Sequence, residues 1–285
     1  MSVPQLFLIT NHTNLHVGAG NSNQGVIDNM VQRDHVDVLP GIHSSSLKGA
    51  LREFFVNGPG KTSLRNKAED IFGSEASSGN LLKGNYIFHD GILLSYPVRS
   101  YQESFFYASA PMIFERLFQN IDLFDLPVTD LLIGKLKEIK DMKVANGQPK
   151  IFNYPVQNNF RIEEFEMLAA NSIKDISAEF KIIETLFGDK LVLFSDEDFK
   201  TITDDYNLPV IARNQLENGV SKNLFYEQVV PREARFYFFV SNYSSTNDLS
   251  ECIDTKKIQL GANGTIGYGL CSFKFLNNLL NPAKA

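Results

Sequence analysis

The chain has 285 residues, 43% hydrophobic and 21% charged, which is enough for a full core in one large domain or two ordinary ones. Its formal net charge of −6 argues against a general electrostatic grip on nucleic acid, though not against a local basic groove. Cys252 and Cys271 lack zinc-like spacing and read as reduced thiols. No run approaches the ~18 apolar residues of a membrane helix, and the start MSVPQLFLITNHT has no basic n-region. The expected setting is therefore cytoplasmic, with no membrane partner.

In chain order, Gln5–Thr10 is an apolar run after Pro4 and reads as a strand buried on both faces. No strand or helix period runs through Gly18–Asn29, which reads as a long polar loop. A brief extended piece ends at Pro40-Gly41. Leu47, Ala50, Leu51, Phe54 and Phe55 then mark one apolar helix face, with Ser44 or Ser45 as cap and Asn57-Gly58 as stop. SLRNKAEDIFG reads as a shorter helix. Tyr86–Ser95 reads as one strand, followed by an irregular stretch and a helix opened by Pro111. A weak helical pattern and a loop follow Leu123. Ile173–Phe187 reads as a helix, and KLVLFSDEDF as a strand running into a helix capped by Ser195. Leu208–Leu216 and Leu224–Val229 are extended, and Asn218-Gly219 between them is a hairpin turn signal. Arg235–Val240 reads as a core strand, and a glycine-rich turn lies between the last two apolar runs. Strands and helices without strict alternation indicate an α+β fold, a single domain over 1–285.

Three segments could carry chemistry. Lys48 and Arg52, four residues apart, share the polar face of the first helix, whose N-terminus offers free N–H groups beside a run of serines. That arrangement suits a phosphate; a solvated face with serine caps is the plainer reading. The turn LGANGTIGYG matches neither a Walker nor a Rossmann loop, so its glycines serve either close approach of a ligand or a tight turn. In the opening loop, His16 beside an apolar pair suits packing more than catalysis, and Asp28 suits a turn.

Taken together, NLHVGAGNSNQGVIDNMVQRD and LPGIHSSSLKGALREFF resemble the N-terminal signature of the RAMP superfamily. The similarity is strongest to the backbone subunit of type III-B (Cmr) CRISPR effector complexes. DGILLSYPVRSYQESFFYASAPMIFERL, ARNQLENGVSKNLFYEQVVP and IQLGANGTIGYGLC resemble later family segments in order; residues 123–189 match no motif and stand as an unassigned helical insertion. The resemblance implies a modified ferredoxin-like (RRM-like) core with a β-hairpin thumb, here residues 208–231, with Asn218, Gly219, Phe225 and Tyr226 at the thumb. It implies copies stacked head to tail on a CRISPR guide RNA, alongside other subunits of the complex. Complementary single-stranded target RNA would be cut at regular intervals by an endoribonuclease. Asp28 would be catalytic, as ligand of a divalent metal (Mg²⁺) or as acceptor of the 2′-OH proton, with His16 the lesser candidate base. Ser45, Ser46, Lys48, Arg52, Arg99, Gly264, Gly267, Tyr268 and Gly269 would bind RNA. Tyr268 stands where the family often has a basic residue, which favours stacking there. The alternatives are a non-catalytic guide-RNA scaffold and a guide-processing endoribonuclease.

Overall fold

The computed structural model describes residues 4–21, 26–58, 61–74, 82–218, 220–243 and 248–281. The first strand, β1 (Gln5–Asn11), buries Leu6, Phe7, Leu8 and Ile9, as expected of a strand with both faces covered. The stretch expected to lack regular structure forms two short strands, β2 (Gly18–Asn21) and β3 (Asn29–Val31). They exist because backbone partners lie nearby, and no side-chain period announces them. After β4 (Gly41–Ile42), helix α1 (Ser44–Asn57) buries Leu47, Leu51 and Phe55. Its cap differs from the expected serine. His43 holds the N-cap position without a side-chain bond, and the Ser44 N–H donates instead to Asp90 Oδ1 at 2.7 Å. Helix α2 (Lys61–Phe72) stops at Gly73, whose φ of +90° lets the chain pass the Leu82 carbonyl.

The single strand expected over Tyr86–Ser95 is two, β5 (Tyr86–Phe88) and β6 (Gly91–Val98). The ladder breaks because Asp90 turns away to cap α1. Next come β7 (Phe106–Ser109), α3 (Pro111–Leu123) and α4 (Asp130–Lys140). The motif-free region is not purely helical. It also holds β8 (Lys150–Phe152), β9 (Phe160–Ile162), β10 (Phe165–Met167) and β11 (Ser172–Ile173). Helix α5 (Ala178–Phe187) starts later than its pattern suggests, because Ser177 caps it and Ile173 pairs with Phe152. Strand β12 (Leu191–Leu193) and the Ser195-capped helix α6 (Asp196–Ile202) form as expected. The chain finishes with β13 (Val210–Glu217), β14 (Val220–Gln228), β15 (Arg235–Asn242), α7 (Leu249–Ile253), β16 (Lys257–Gln259), β17 (Leu270–Phe275) and α8 (Asn277–Leu280).

The main sheet runs β11-β8-β12-β7-β6-β15-β1-β17-β16, with β4 on β6 and β5 on β15. Its centre, β6-β15-β1-β17, is antiparallel throughout, and each step joins strands distant in sequence. Aromatic side chains fill both faces. Phe7 lies opposite Phe238 and stacks on it at 5.2 Å; on the same face, Phe88 opposite Val240 stacks on Phe72 of α2. On the other face Phe239 stacks on Phe124, and the Tyr237 hydroxyl accepts from Asn120 of α3. Helices thus cover the antiparallel centre on both sides, an α+β architecture. Cys252 and Cys271 are free and buried, and no described helix is long and apolar enough to cross a membrane.

A separate four-stranded sheet has the order β13-β14-β3-β2. The β13–β14 hairpin pairs from Val210↔Gln228 to Glu217↔Val220, and β3 joins it in parallel at Glu227↔Asn29. This small sheet positions the site.

Candidate functional site

Asp28 precedes β3 and is clasped to the hairpin. Its N–H donates to the Tyr226 carbonyl at 3.1 Å, and its Oδ2 accepts from the Tyr226 N–H at 2.8 Å. The residue is exposed, and Oδ1 has no hydrogen-bond partner among the described residues. The loop carboxylate is therefore held in place at one oxygen and open at the other. Its side chain does more for the local backbone than a free turn residue would.

His16 has a different environment. It is 4% exposed, and its Nδ1 lies 2.7 Å from the Gln228 carbonyl, which can only accept, so the ring proton sits on Nδ1. Its Nε2 lies 3.8 Å from Glu227 Oε1. The ring is enclosed between the first loop and the hairpin, a setting that suits packing and positioning.

Glu227 is 3% exposed and is the hub of this junction. It accepts two bonds from Asn263 Nδ2, at 2.9 and 2.8 Å, and one from Arg213 Nη1 at 3.1 Å. Arg213 also donates to Asn263 Oδ1 at 2.8 Å and lies over the Phe225 ring. Gln228 accepts from the Val31 N–H at 3.1 Å and donates to the Asp205 carbonyl. Consecutive residues of one strand therefore secure three segments: Tyr226 holds Asp28, Glu227 the glycine-rich turn, and Gln228 the start of β3's exit. The sequence reading missed Arg213, Glu227, Gln228 and Asn263. The one available signal was FYEQVV, where two polar residues interrupt an apolar run at a strand's inner end.

Beyond β3, Gln32 donates to the Gly18 carbonyl and to Ser46 Oγ, and accepts from the His43 N–H. This ties the α1 N-terminus to the same junction. Arg33 bonds Asp205 at 2.6 Å, and Arg116 bridges Asp34 and Asp37. Burial works against the charge on Asp34, but the Val36 N–H and the Arg116 guanidinium outweigh it and hold the carboxyl below its ordinary value.

Other expected site residues divide. Ser45 is exposed, and Lys48 is half-buried with no polar partner among the described residues, so both remain open to a ligand. Arg52 spends part of its guanidinium on the end of α2, where Nη2 donates to the Gly73 carbonyl at 2.8 Å. In the glycine-rich turn, a Cβ at Gly269 would lie 1.9 Å from the Leu260 carbonyl oxygen, and Gly264 packs on Gln259. Those glycines serve the turn itself. Gly267, at φ +86°, faces open space, and Tyr268 is half-buried. Asn218 is exposed at φ 51°, at the hairpin end; Gly219 lies outside the described residues. Arg99 stands apart from the junction, paired with Glu163 at 3.1 Å.

No group of three or more His, Cys, Asp or Glu residues that could hold a metal occurs among the described residues. Mg²⁺ is commonly bound by one or two carboxylates plus substrate phosphates. The free Oδ1 of Asp28 is one such open carboxylate oxygen, and its chemistry fits an ion of that kind.

The model of the RAMP superfamily matches residues 8–272. The CRISPR system Cmr endoribonuclease Cmr4 of Pyrococcus furiosus is 26% identical over 283 residues, covering 90% of each chain. A chain in the cryo-EM structure of type III-B Cmr-beta bound to cognate target RNA matches with a TM-score of 0.78 at 20% identity, covering 97% of this chain and 98% of that one. Oligomeric Cmr4 from Pyrococcus furiosus matches with a TM-score of 0.65 at 21% identity, covering 95% and 98%. These likenesses extend over the whole α+β architecture.

Proposed function

Since this chain belongs to the RAMP superfamily, we propose that it is the backbone subunit of a cytoplasmic type III-B CRISPR ribonucleoprotein and cleaves target RNA. Copies stack head to tail along a guide RNA with other subunits of the complex. The β13–β14 hairpin is the thumb that interrupts the guide–target duplex at regular intervals. The observation that carries this reading is Asp28: an exposed carboxylate, fixed by two backbone hydrogen bonds to Tyr226 at the edge of the hairpin sheet. A group so placed meets the strand that the hairpin displaces. A named endoribonuclease relative aligned over 90% of the chain supports the same reading.

The chemistry needs no protein nucleophile. The substrate's 2′-OH attacks the adjacent phosphorus and the 5′-oxygen leaves with a proton from water, while Asp28 Oδ1 serves either as acceptor of the 2′-OH proton or as ligand of a Mg²⁺ ion. The Tyr226 N–H holds Oδ2 and so aims the free oxygen. Bound Mg²⁺ would supply charge stabilisation on the phosphate. Ser45, Lys48 and the open face at Gly267 and Tyr268 are the protein's contacts to the guide.

The test is Asp28→Asn in the assembled complex with guide RNA, target and Mg²⁺. The amide oxygen still accepts from Tyr226, so assembly and target binding are expected unchanged, while cleavage falls at least about a hundredfold. A target carrying 2′-deoxy nucleotides at the cut positions is expected to resist the wild type equally. Cutting by Asp28→Asn at the wild-type rate and positions would leave a guide-RNA scaffold as the surviving reading.

A further inference from the structure

Residues 99–104 follow β6, and residues 159–167 form the β9–β10 hairpin of the motif-free region. The two are stitched together. The Glu163 N–H donates to the Arg99 carbonyl at 2.9 Å, the Arg99 N–H to Glu163 Oε1 at 2.7 Å, and Ser100 Oγ to the Arg161 carbonyl at 2.7 Å. Ser100 and Ile162 also form an isolated β-bridge. Two clefts flank this seam and share Arg99 and Glu163. One, of about 420 Å³, is lined by Ser100, Tyr101, Ser104 and Arg161 as well. The other, of about 370 Å³, reaches Pro209 and Pro231, the residues just outside the two strands of the β13–β14 hairpin. The cleft at Tyr101 is a trough that adjoins, through these shared residues, the cleft at the hairpin's base.

Two side chains offered to that trough, Tyr101 and Arg161, have no hydrogen-bond or ion-pair partner among the described residues. Tyr101 is 102% exposed, although its neighbours are pinned by the seam. Arg161 is exposed, and its guanidinium has no hydrogen bond or ion pair among the described residues. Arg99 spends one edge on Glu163 and leaves its side chain 89% exposed. A backbone pinned at Arg99 and Ser100 that presents an open aromatic face and a free guanidinium in one groove suits a base stacked beside a phosphodiester. Holding these groups in advance lowers the ordering cost of binding.

We propose that this trough is a second single-stranded RNA site, with a base on Tyr101 and the neighbouring phosphate on Arg161. It rests on the RNA-binding function above and gives the motif-free region a role: it extends the path of a strand leaving the base of the hairpin. Guide and target share this chemistry, and the experiment separates them.

The experiment titrates guide RNA onto the full-length protein, and target RNA onto the guide-loaded assembly, for wild type, Tyr101→Ala and Arg161→Ala. Both substitutions are at exposed positions, and unchanged thermal melting confirms folding. Each variant is expected to bind one of the two strands about fivefold or more weakly, and the titration that moves names the strand. Arg161→Ala should flatten the dependence of log affinity on log salt by about 0.7, while Tyr101→Ala leaves that slope alone. Wild-type affinities and slopes in both variants overturn the proposal, as does loss of self-assembly with RNA affinity intact, which would make the trough a protein contact. A wild-type chain that binds no RNA overturns the proposal together with its parent reading; intact wild-type binding with unaffected variants overturns the trough alone.

Discussion

The base and the tip of the β13–β14 hairpin share one ladder but obey different physics. At the base, Glu227 and Gln228 are buried and bonded to segments more than thirty residues away, so polar groups hold the hairpin to the body. Toward the tip, Val220, Leu224 and Asn218 are exposed, and the strands pair only with each other. The base fixes where the hairpin points, and the tip is free to meet something outside the chain. The proposed cleavage asks for precision at the base, where Asp28 sits, and for reach at the tip.

The sharpest way to break this contrast is Glu227→Ala. It strands Arg213 and Asn263 without their acceptor. It should cost about 3 kcal/mol in urea unfolding, at the low end for a broken buried pair because the Arg213 side chain is 26% exposed. A loss under about 1 kcal/mol would show that the network does not hold the base.

The glycine-rich turn gives the next largest effect through an internal control. Gly269→Ala and Gly267→Ala both impose a side chain at positive φ, but only the first drives it into the Leu260 carbonyl. We expect a loss of about 2–3 kcal/mol for Gly269→Ala and about 1 kcal/mol for Gly267→Ala, read as the difference in unfolding midpoint. Equal losses would mean that the turn relaxes freely and is not locked to the hairpin base.

Asp28→Ala removes the acceptor for the Tyr226 N–H and should cost about 1 kcal/mol, with most of that recovered in Asp28→Asn. Calorimetry on both variants tests whether the clasp contributes to stability as well as to aim. The smallest effect on folding belongs to the tip. Replacing residues 217–223 with a short turn should change stability by no more than about 0.5 kcal/mol, because that region packs on nothing described outside the hairpin. The same variant should blur the regular spacing of target cuts while guide binding survives. Regular cuts would place the spacing device elsewhere.

Much of this architecture is legible in the sequence, for local reasons. The helix at Ser44–Asn57 follows from Leu47, Leu51 and Phe55, the β1 strand from its apolar run, and the β13–β14 hairpin from Asn218-Gly219 between extended segments. Ordered motifs were enough to indicate the family and to single out Asp28. The failures have a common cause. Arg52 shares a polar face with Lys48, yet only the return of the chain at Gly73 gives it a carbonyl to bond. Asp90 lies inside the run Tyr86–Ser95 that reads as one strand, and only the arrival of the N-terminus of α1 beside it gives its carboxylate a partner.

What the sequence determined by itself is the helices and strands with a strong apolar pattern, such as α1, α3, β1 and β15, and which single carboxylate merited a test. Only the tertiary structure decided that β3 lies against β14, that His16 is enclosed, and that Glu227 joins the glycine-rich turn to the β13–β14 hairpin. Periodicity records whether a side chain is buried, because burial repeats with the geometry of its own helix or strand. It carries nothing about which distant segment satisfies a buried polar group, since that partner is chosen by how the whole chain packs.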